Sequence, residues 1–297
     1  MRATRPMRAV PRGRFVAVDE GRRLFVRSAG RVEGGTPTLL LHGLGATSAL
    51  NWAGCFAPLG RRGPVVALDH RGHGRGTRVG NKFRLEDCAD DAAALLRWFG
   101  AGPAVVVGYS MGGPIAQLLA RRHPELVTGL ILSATARDFR GRPSERLRFA
   151  ALGAMTAAAA FGPAAAAPNV VPLLPGRFQP AGWALAELRR HEPAAVLSAA
   201  AALGRFSSRE WVGELDLPAT VLVHSRDRLV PPHRQQKLVA SLADAEVIEI
   251  DADHLGVARR IDLYLPALLA ARASVLRRAG AGTAGVPDEA PKVGWSA

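Results

Sequence analysis

Five residues, Gly108-Tyr109-Ser110-Met111-Gly112, stand between a continuous apolar run, Ala104–Val107, and a second apolar stretch, Gly113–Ala120. A β-branched run followed at once by helix-forming residues reads as strand, sharp turn and helix. A serine at the apex occupies a cramped backbone that only small neighbours tolerate, and its hydroxyl is pushed clear of the strand. The helix that starts there aims free N–H groups and its positive dipole end at the same spot. This is G-x-S-x-G in the context that makes its serine a nucleophile. The bland alternative is a tight turn whose serine only caps the helix.

Around this turn, strand and helix patterns alternate. Phe15–Val18 and Leu24–Arg27 read as a hairpin joined at Asp19-Glu20-Gly21. Further strands are expected at Thr38–Leu41, Val65–Leu68, Ala104–Val107, Leu130–Leu132, Thr220–Val223 and Glu246–Ile250. Helical spacing marks Leu85–Phe99, Pro232–Ser241 and a long stretch, Leu255–Leu276, expected to break or kink at Pro266. From 137 to 211 the alternation stops in an Ala- and Pro-rich segment, with helices expected near Trp183–Arg190 and Ala194–Leu203.

Repeated strand–helix units with near-continuous apolar strands imply an α/β fold whose mostly parallel sheet is covered by helices on both faces. In such sheets ligands bind beyond the carboxyl ends of the strands. His42-Gly43, the cluster Asp69–Gly74 and the serine turn all fall at such ends, which points to one shared site.

The remaining composition excludes several classes. The 297 residues suit one large domain, or one domain with an insertion. Two cysteines, Cys55 and Cys88, offer neither metal-ligand spacing nor a disulfide framework, so a reducing cytoplasm is the simplest setting. No run approaches the roughly 18–20 apolar residues of a membrane span. The basic residues 1–13 lack the apolar stretch of a secretory signal and read as a flexible arm, and 277–297 as a disordered tail. The net charge of +14 is carried by scattered arginines without interleaved aromatics, so nucleic acid is not an expected partner. Weak attraction of the arm to an anionic membrane surface is.

A serine hydroxyl needs a base, and the base needs an orienting carboxylate. His254 follows the strand at 246–250 and precedes the last helix. Asp227 follows the strand before that, so the order is Ser110, Asp227, His254. Asp138, after the strand at 130–132, is the rival acid. Asp251 and Asp253 lie too close in sequence to His254 to serve it.

Together, His42-Gly43, Asp69-His70-Arg71-Gly72-His73-Gly74, the serine turn and the Asp227/His254 pair make the chain resemble the cap-bearing serine esterase and C–C hydrolase-like branch of the α/β-hydrolases, over roughly Arg14 to Ala271. The resemblance implies an eight-stranded sheet, with core segments 14–136 and 212–276 and a helical cap at 137–211. It makes Ser110 the nucleophile, His254 the base and Asp227 the acid. The oxyanion hole is carried over to the backbone N–H groups of Leu44 and Met111. His42 is expected beneath the oxyanion loop, His70 and His73 at the pocket floor, and Asp69 as the residue that holds their loop. His224 stands where relatives often carry a small residue, and the sequence supplies no role for it. Met111 and Met155 read as pocket or core filler, and Trp52, Trp183 and Trp211 as candidates for an acyl site, Trp183 and Trp211 equally as cap anchors.

The expected reaction is hydrolysis of a hydrophobic carboxylic ester through an acyl-enzyme, with no cofactor and no metal. Acyl transfer and C–C bond hydrolysis use the same three residues. A non-catalytic protein of the same fold, binding a ligand or partner, is the alternative of another class. The oligomeric state is not legible.

Overall fold

Four-residue apolar runs with no polar side to turn outward satisfy their backbone only inside a sheet covered on both faces. The computed structural model, which describes residues 10–19, 21–31, 35–139, 151, 154 and 182–280, places them there. β1 (Arg14–Asp19) and β2 (Arg22–Ala29) form the hairpin. β3 (Thr38–Leu41), β4 (Val65–Leu68), β5 (Ala104–Tyr109), β6 (Val127–Ser133), β7 (Ala219–His224) and β8 (Ala245–Ile250) complete an eight-stranded sheet in the order β1-β2-β4-β3-β5-β6-β7-β8. Only β2 runs against its neighbours; every pairing from β4 to β8 is parallel.

The alternation of side chains along each strand divides the core in two. Leu39, Leu41, Val66 and Val106 face a layer with α3 (Leu85–Phe99) and α4 (Gly112–Arg122). Leu40, Val105, Val107 and Leu222 face the other, with α1 (Ser48–Trp52), α2 (Phe56–Gly60) and the long C-terminal helix. α3 ends at Gly100, in the left-handed conformation that its position demands (φ 68°).

Most of the expected cap, 137–211, lies outside the described residues, as do Met155, residues 1–9 of the arm and 281–297 of the tail. The described end of the segment carries α5 (Gly182–Leu188) and α6 (Pro193–Arg205). It is fastened to the core by polar contacts. Glu192 accepts from the N–H groups of Val79 (2.9 Å) and Gly80 (2.8 Å), and the Ser198 hydroxyl donates to the Asn81 carbonyl (2.8 Å).

Beyond β7 come α7 (Pro232–Val239), α8 (Gly256–Arg259) and α9 (Ile261–Arg278). Two expectations need correction here. The break in the C-terminal helical stretch is at Arg260 (φ −126°, ψ 49°), while α9 runs through Pro266. Pro266 and Asp262, whose carbonyl loses its donor, both lie on the exposed face, where solvent can satisfy the freed oxygen. α9 also continues to Arg278, into the segment expected to be tail. Among the described residues no helix is long and apolar enough to cross a membrane.

Candidate active site

The geometry of the turn after β5 explains its composition. Ser110 has φ +51°, a left-handed conformation rare outside glycine. A Cβ on Gly108 would collide with the Gly112 carbonyl, one on Gly112 with the Leu41 carbonyl, and one on Gly113 with the Thr135 side chain. Strand β3 and helix α4 therefore approach each other through positions where only glycine fits. The strained apex is held on three sides: Ser110 N–H donates to Ser133 O (2.9 Å), and Ser110 O accepts from Gly113 N–H (2.9 Å) and the Thr135 hydroxyl (2.8 Å).

Its side chain meets the two residues expected from the order of the chain. His254 Nε2 is 3.0 Å from Ser110 Oγ, and His254 Nδ1 is 2.7 Å from Asp227 Oδ2. Asp227 can only accept when ionised, so Nδ1 carries the ring proton and Nε2 is the acceptor of the serine hydroxyl. The other Asp227 oxygen accepts from the N–H groups of Leu229 (2.8 Å) and Val230 (2.9 Å), which fixes the carboxylate in a buried position. Asp138 does not take this place. It lies in an isolated bridge with Ser207 and is 4.0 Å from Arg209. Asp253 turns instead to Leu255 N–H and Arg259, and Asp251 pairs with Arg226 on the surface.

The loop after β3 approaches from the other side. Gly43 packs so closely on Ser110 that a Cβ added to it would lie 3.3 Å from the Ser110 Cβ, and its N–H donates to Asn51 Oδ1 at 2.9 Å. Among the described residues, neither Leu44 N–H nor Met111 N–H finds an acceptor, and both residues are buried. Leu44 follows the Gly43 that packs on Ser110, and Met111 follows Ser110 itself, so these two donors belong to the segments that meet at the serine.

Around these atoms lies a shell of histidines. His42 donates from Nδ1 to its neighbour Gly43 O (2.8 Å) and accepts at Nε2 from His70 N–H (2.9 Å). His73 donates to Arg71 O (2.9 Å). His191, from the end of α5, accepts at Nδ1 from Gly74 N–H (2.9 Å) and reaches Gly45 O in the oxyanion loop with Nε2 (3.2 Å). Burial drives all four toward the neutral form, with His70 and His191 pushed down to about 3 and His73 to about 4. Asp69 holds the loop they share: it accepts from Ser48 N–H (2.9 Å), the Ser48 hydroxyl (2.5 Å) and Arg75 N–H (3.0 Å). Among the described residues, no group of three or more His, Cys, Asp or Glu side chains is placed to hold a metal ion.

The aromatic candidates separate. Trp52 is fully buried, 6.1 Å from the Tyr109 ring in an edge contact, so it is core rather than an acyl-site wall. Trp211 carries the Arg121 guanidinium 4.6 Å over its ring and meets Phe206 edge-on, an anchor on the core.

A family model described as the alpha/beta hydrolase fold matches residues 36–258, the stretch that holds all these groups. The chain belongs to this family. A 2-(acetamidomethylene)succinate hydrolase of Mesorhizobium japonicum is 34% identical to it over 119 residues, 38% of this chain and 40% of that protein. An uncharacterised protein of Mycobacterium tuberculosis is 35% identical over 134 residues, 44% of this chain and 38% of the other. The matched stretch thus spans about two-fifths of the length of these curated relatives. Among solved structures, the enol-lactonase of Burkholderia xenovorans has a TM-score of 0.71 at 24% identity, over 88% of this chain and all of the other, a likeness of fold.

Reading the sequence assigned no role to Asn51, Thr135, His191 or His224 in this α/β-hydrolase. Asn51 and Thr135 are ordinary polar residues with no local signal. His224 does carry one, being a histidine at a strand end where relatives often have a small residue, but its role depends on contacts across the sheet.

Proposed function

We propose that the protein is a serine hydrolase that cleaves a carboxylic ester through an acyl-enzyme. The observation that carries this reading is the hydrogen-bonded line from Asp227 through His254 to Ser110. Ser110 Oγ attacks the ester carbonyl carbon while His254 Nε2 takes the hydroxyl proton. The carbonyl oxygen becomes an oxyanion and receives hydrogen bonds from Leu44 and Met111 N–H. When the C–O bond to the leaving alcohol breaks, His254 returns the proton to that oxygen. Water, deprotonated by the same nitrogen, then attacks the acyl-serine; the acyl–Oγ bond breaks, His254 returns the proton to Ser110 Oγ, and the acid leaves. Asp227 keeps the ring in the tautomer these steps need and offsets the imidazolium charge.

The names of the relatives support acyl-type hydrolysis: one is called a 2-(acetamidomethylene)succinate hydrolase and a structural neighbour an enol-lactonase. A serine rather than a carboxylate at the apex argues for an acyl intermediate. The substrate class we infer is a small hydrophobic ester, from the apolar composition of residues 137–211. No step draws on a cofactor, and two buried, unpaired cysteines suit a reducing cytoplasm. Turnover of aryl esters of graded acyl length, with product analysis in the presence of competing alcohols, tests the proposal. Acid release that depends on Ser110 supports it, alkyl ester formation would reassign the protein to acyl transfer, and full turnover by Ser110→Ala would defeat it.

A further inference from the structure

The loop between Asp69 and Thr77 borders the site with one face and a second, unrelated cavity with the other. Arg22, Arg23, Arg71, Arg75, Arg78 and Arg190 line an open groove of about 820 Å³ between the β1–β2 hairpin, this loop and the end of α5. None of Ser110, Asp227 and His254 borders it.

The positive charge there is only partly answered. Asp91 is shared by Arg71 (2.6 Å) and Arg22 (3.3 Å), Asp87 is 3.6 Å from Arg71, and Asp19 is 3.2 Å from Arg22. Glu187 serves Arg75 (2.9 Å), Arg190 (3.4 Å) and the buried Arg27 (3.8 Å). Among the described residues, four carboxylates therefore face seven guanidiniums. Among the described residues, Arg23 and Arg78 have no carboxylate partner at all.

The frame that holds these groups is stiff. Gly72 N–H donates to Thr77 O and Gly76 N–H to His73 O, both at 2.8 Å, and Gly74 and Gly76 pack so closely on Asp69 and His70 that neither has room for a Cβ. Arg71 is locked by two hydrogen bonds to the buried Asp91. One wall is apolar: Phe15 is 50% exposed, with the Arg23 guanidinium 5.2 Å over its ring.

The geometry points to a binding site for a phosphate-bearing anion, the chemistry shared by a phospholipid headgroup and a condensed phosphate. Guanidinium forks match phosphate oxygens bidentately, and one phosphate presents enough oxygens and charge to bridge arginines from separate segments. A lone carboxylate would leave most of a groove of this size and charge unanswered. The inference is independent of the ester reading, since it uses none of the reacting groups.

Calorimetric titration of inorganic pyrophosphate into the full chain at low salt, together with co-sedimentation on phosphatidylglycerol and phosphatidylcholine vesicles, tests it. Saturable pyrophosphate binding is expected, weakened about tenfold or more by the double variant Arg23→Ala/Arg78→Ala. Arg61→Ala/Arg277→Ala removes the same charge from exposed positions elsewhere and should change affinity less than about twofold, because screened distant charges contribute little. Equal melting temperatures check that both variants fold. Binding to phosphatidylglycerol vesicles that pyrophosphate displaces and the first double variant loses identifies a headgroup as the source. Pyrophosphate binding without vesicle binding identifies a soluble phosphate. No saturable binding of either, or equal weakening by both double variants, overturns the inference.

Discussion

The ring of His224 reaches across from the end of β7 to the carbonyl oxygen of Asp253, the residue before His254, at 2.9 Å. A carbonyl only accepts, so His224 Nδ1 carries the proton, and Nε2 takes a hydrogen bond from the Ser133 hydroxyl at 3.2 Å. The ring is fully buried between Tyr109 and Tyr264, and burial lowers its pKa, which keeps it neutral. On the other side of the same loop, Tyr109 OH donates to His254 O at 2.5 Å. The backbone carbonyls of Asp253 and His254 are thus both held by side chains of the sheet.

Loosening that loop should harm turnover more than binding. His224→Phe keeps a buried aromatic ring but leaves Asp253 O without its donor, and misplacement of a base by about an ångström costs on the order of a hundredfold in rate. The expected result is a fall in kcat with KM little changed. His224→Asn, whose amide N–H can replace Nδ1–H, should recover part of the loss. Steady-state kinetics on an aryl ester separate these outcomes, and equal kcat for wild type and His224→Phe would exclude the positioning role.

The strain at Ser110 gives a second expectation. A left-handed residue with a Cβ costs about 1–2 kcal/mol relative to glycine. Ser110→Gly should therefore be more stable than Ser110→Ala by about 1 kcal/mol, with both expected to be inactive. Urea unfolding of the two variants reads the difference directly, and equal midpoints would show that the apex is relaxed.

Much of this was legible because the elbow's physics is written in its residue types. Gly108, Gly112 and Gly113 each sit where a Cβ would strike backbone or Thr135, so the close approach of β3, β5 and α4 leaves a trace in the sequence. Asp227 and His254 were legible from order along the chain and from their place after strands. Other features were not. His191 meets Gly74 and Gly45 over more than a hundred residues of separation, and no local pattern records a contact of that range. Pro266 suggested a break or kink; the helix continues through it, while the break in the stretch falls at Arg260, which has no proline or glycine to announce it.

The choice of acid is open to a paired test. Asp227→Asn removes the charge facing His254 Nδ1 and favours the wrong tautomer, so a loss of about a thousandfold or more in kcat is expected. Asp138→Asn, on the bridge to Ser207, should stay within about threefold of wild type. The reverse ranking would move the acid to Asp138.

Stability should fall on mild acidification. His70, His73 and His191 are held neutral by burial, with folded values of about 3, 4 and 3 against an ordinary value near 6.5. Between about pH 4 and 6.5 the unfolded chain binds more protons than the folded one, so unfolding becomes easier as pH drops through that window. Above about pH 6.5 the contribution is complete. Each group adds at most about 1.4 kcal/mol per pH unit, and neighbouring rings do not add independently. Urea midpoints should be lower at pH 5 than at pH 7.5; equal midpoints would mean the rings are not neutral and buried as described.

Labelling with a fluorophosphonate, followed by intact-mass measurement and peptide mapping, tests whether Ser110 is an activated nucleophile. The expected result is a single adduct on Ser110, absent in Ser110→Ala and strongly slowed in both Asp227→Asn and His254→Gln. A folded protein that stays unlabelled, or one whose adduct persists in Ser110→Ala, would contradict it.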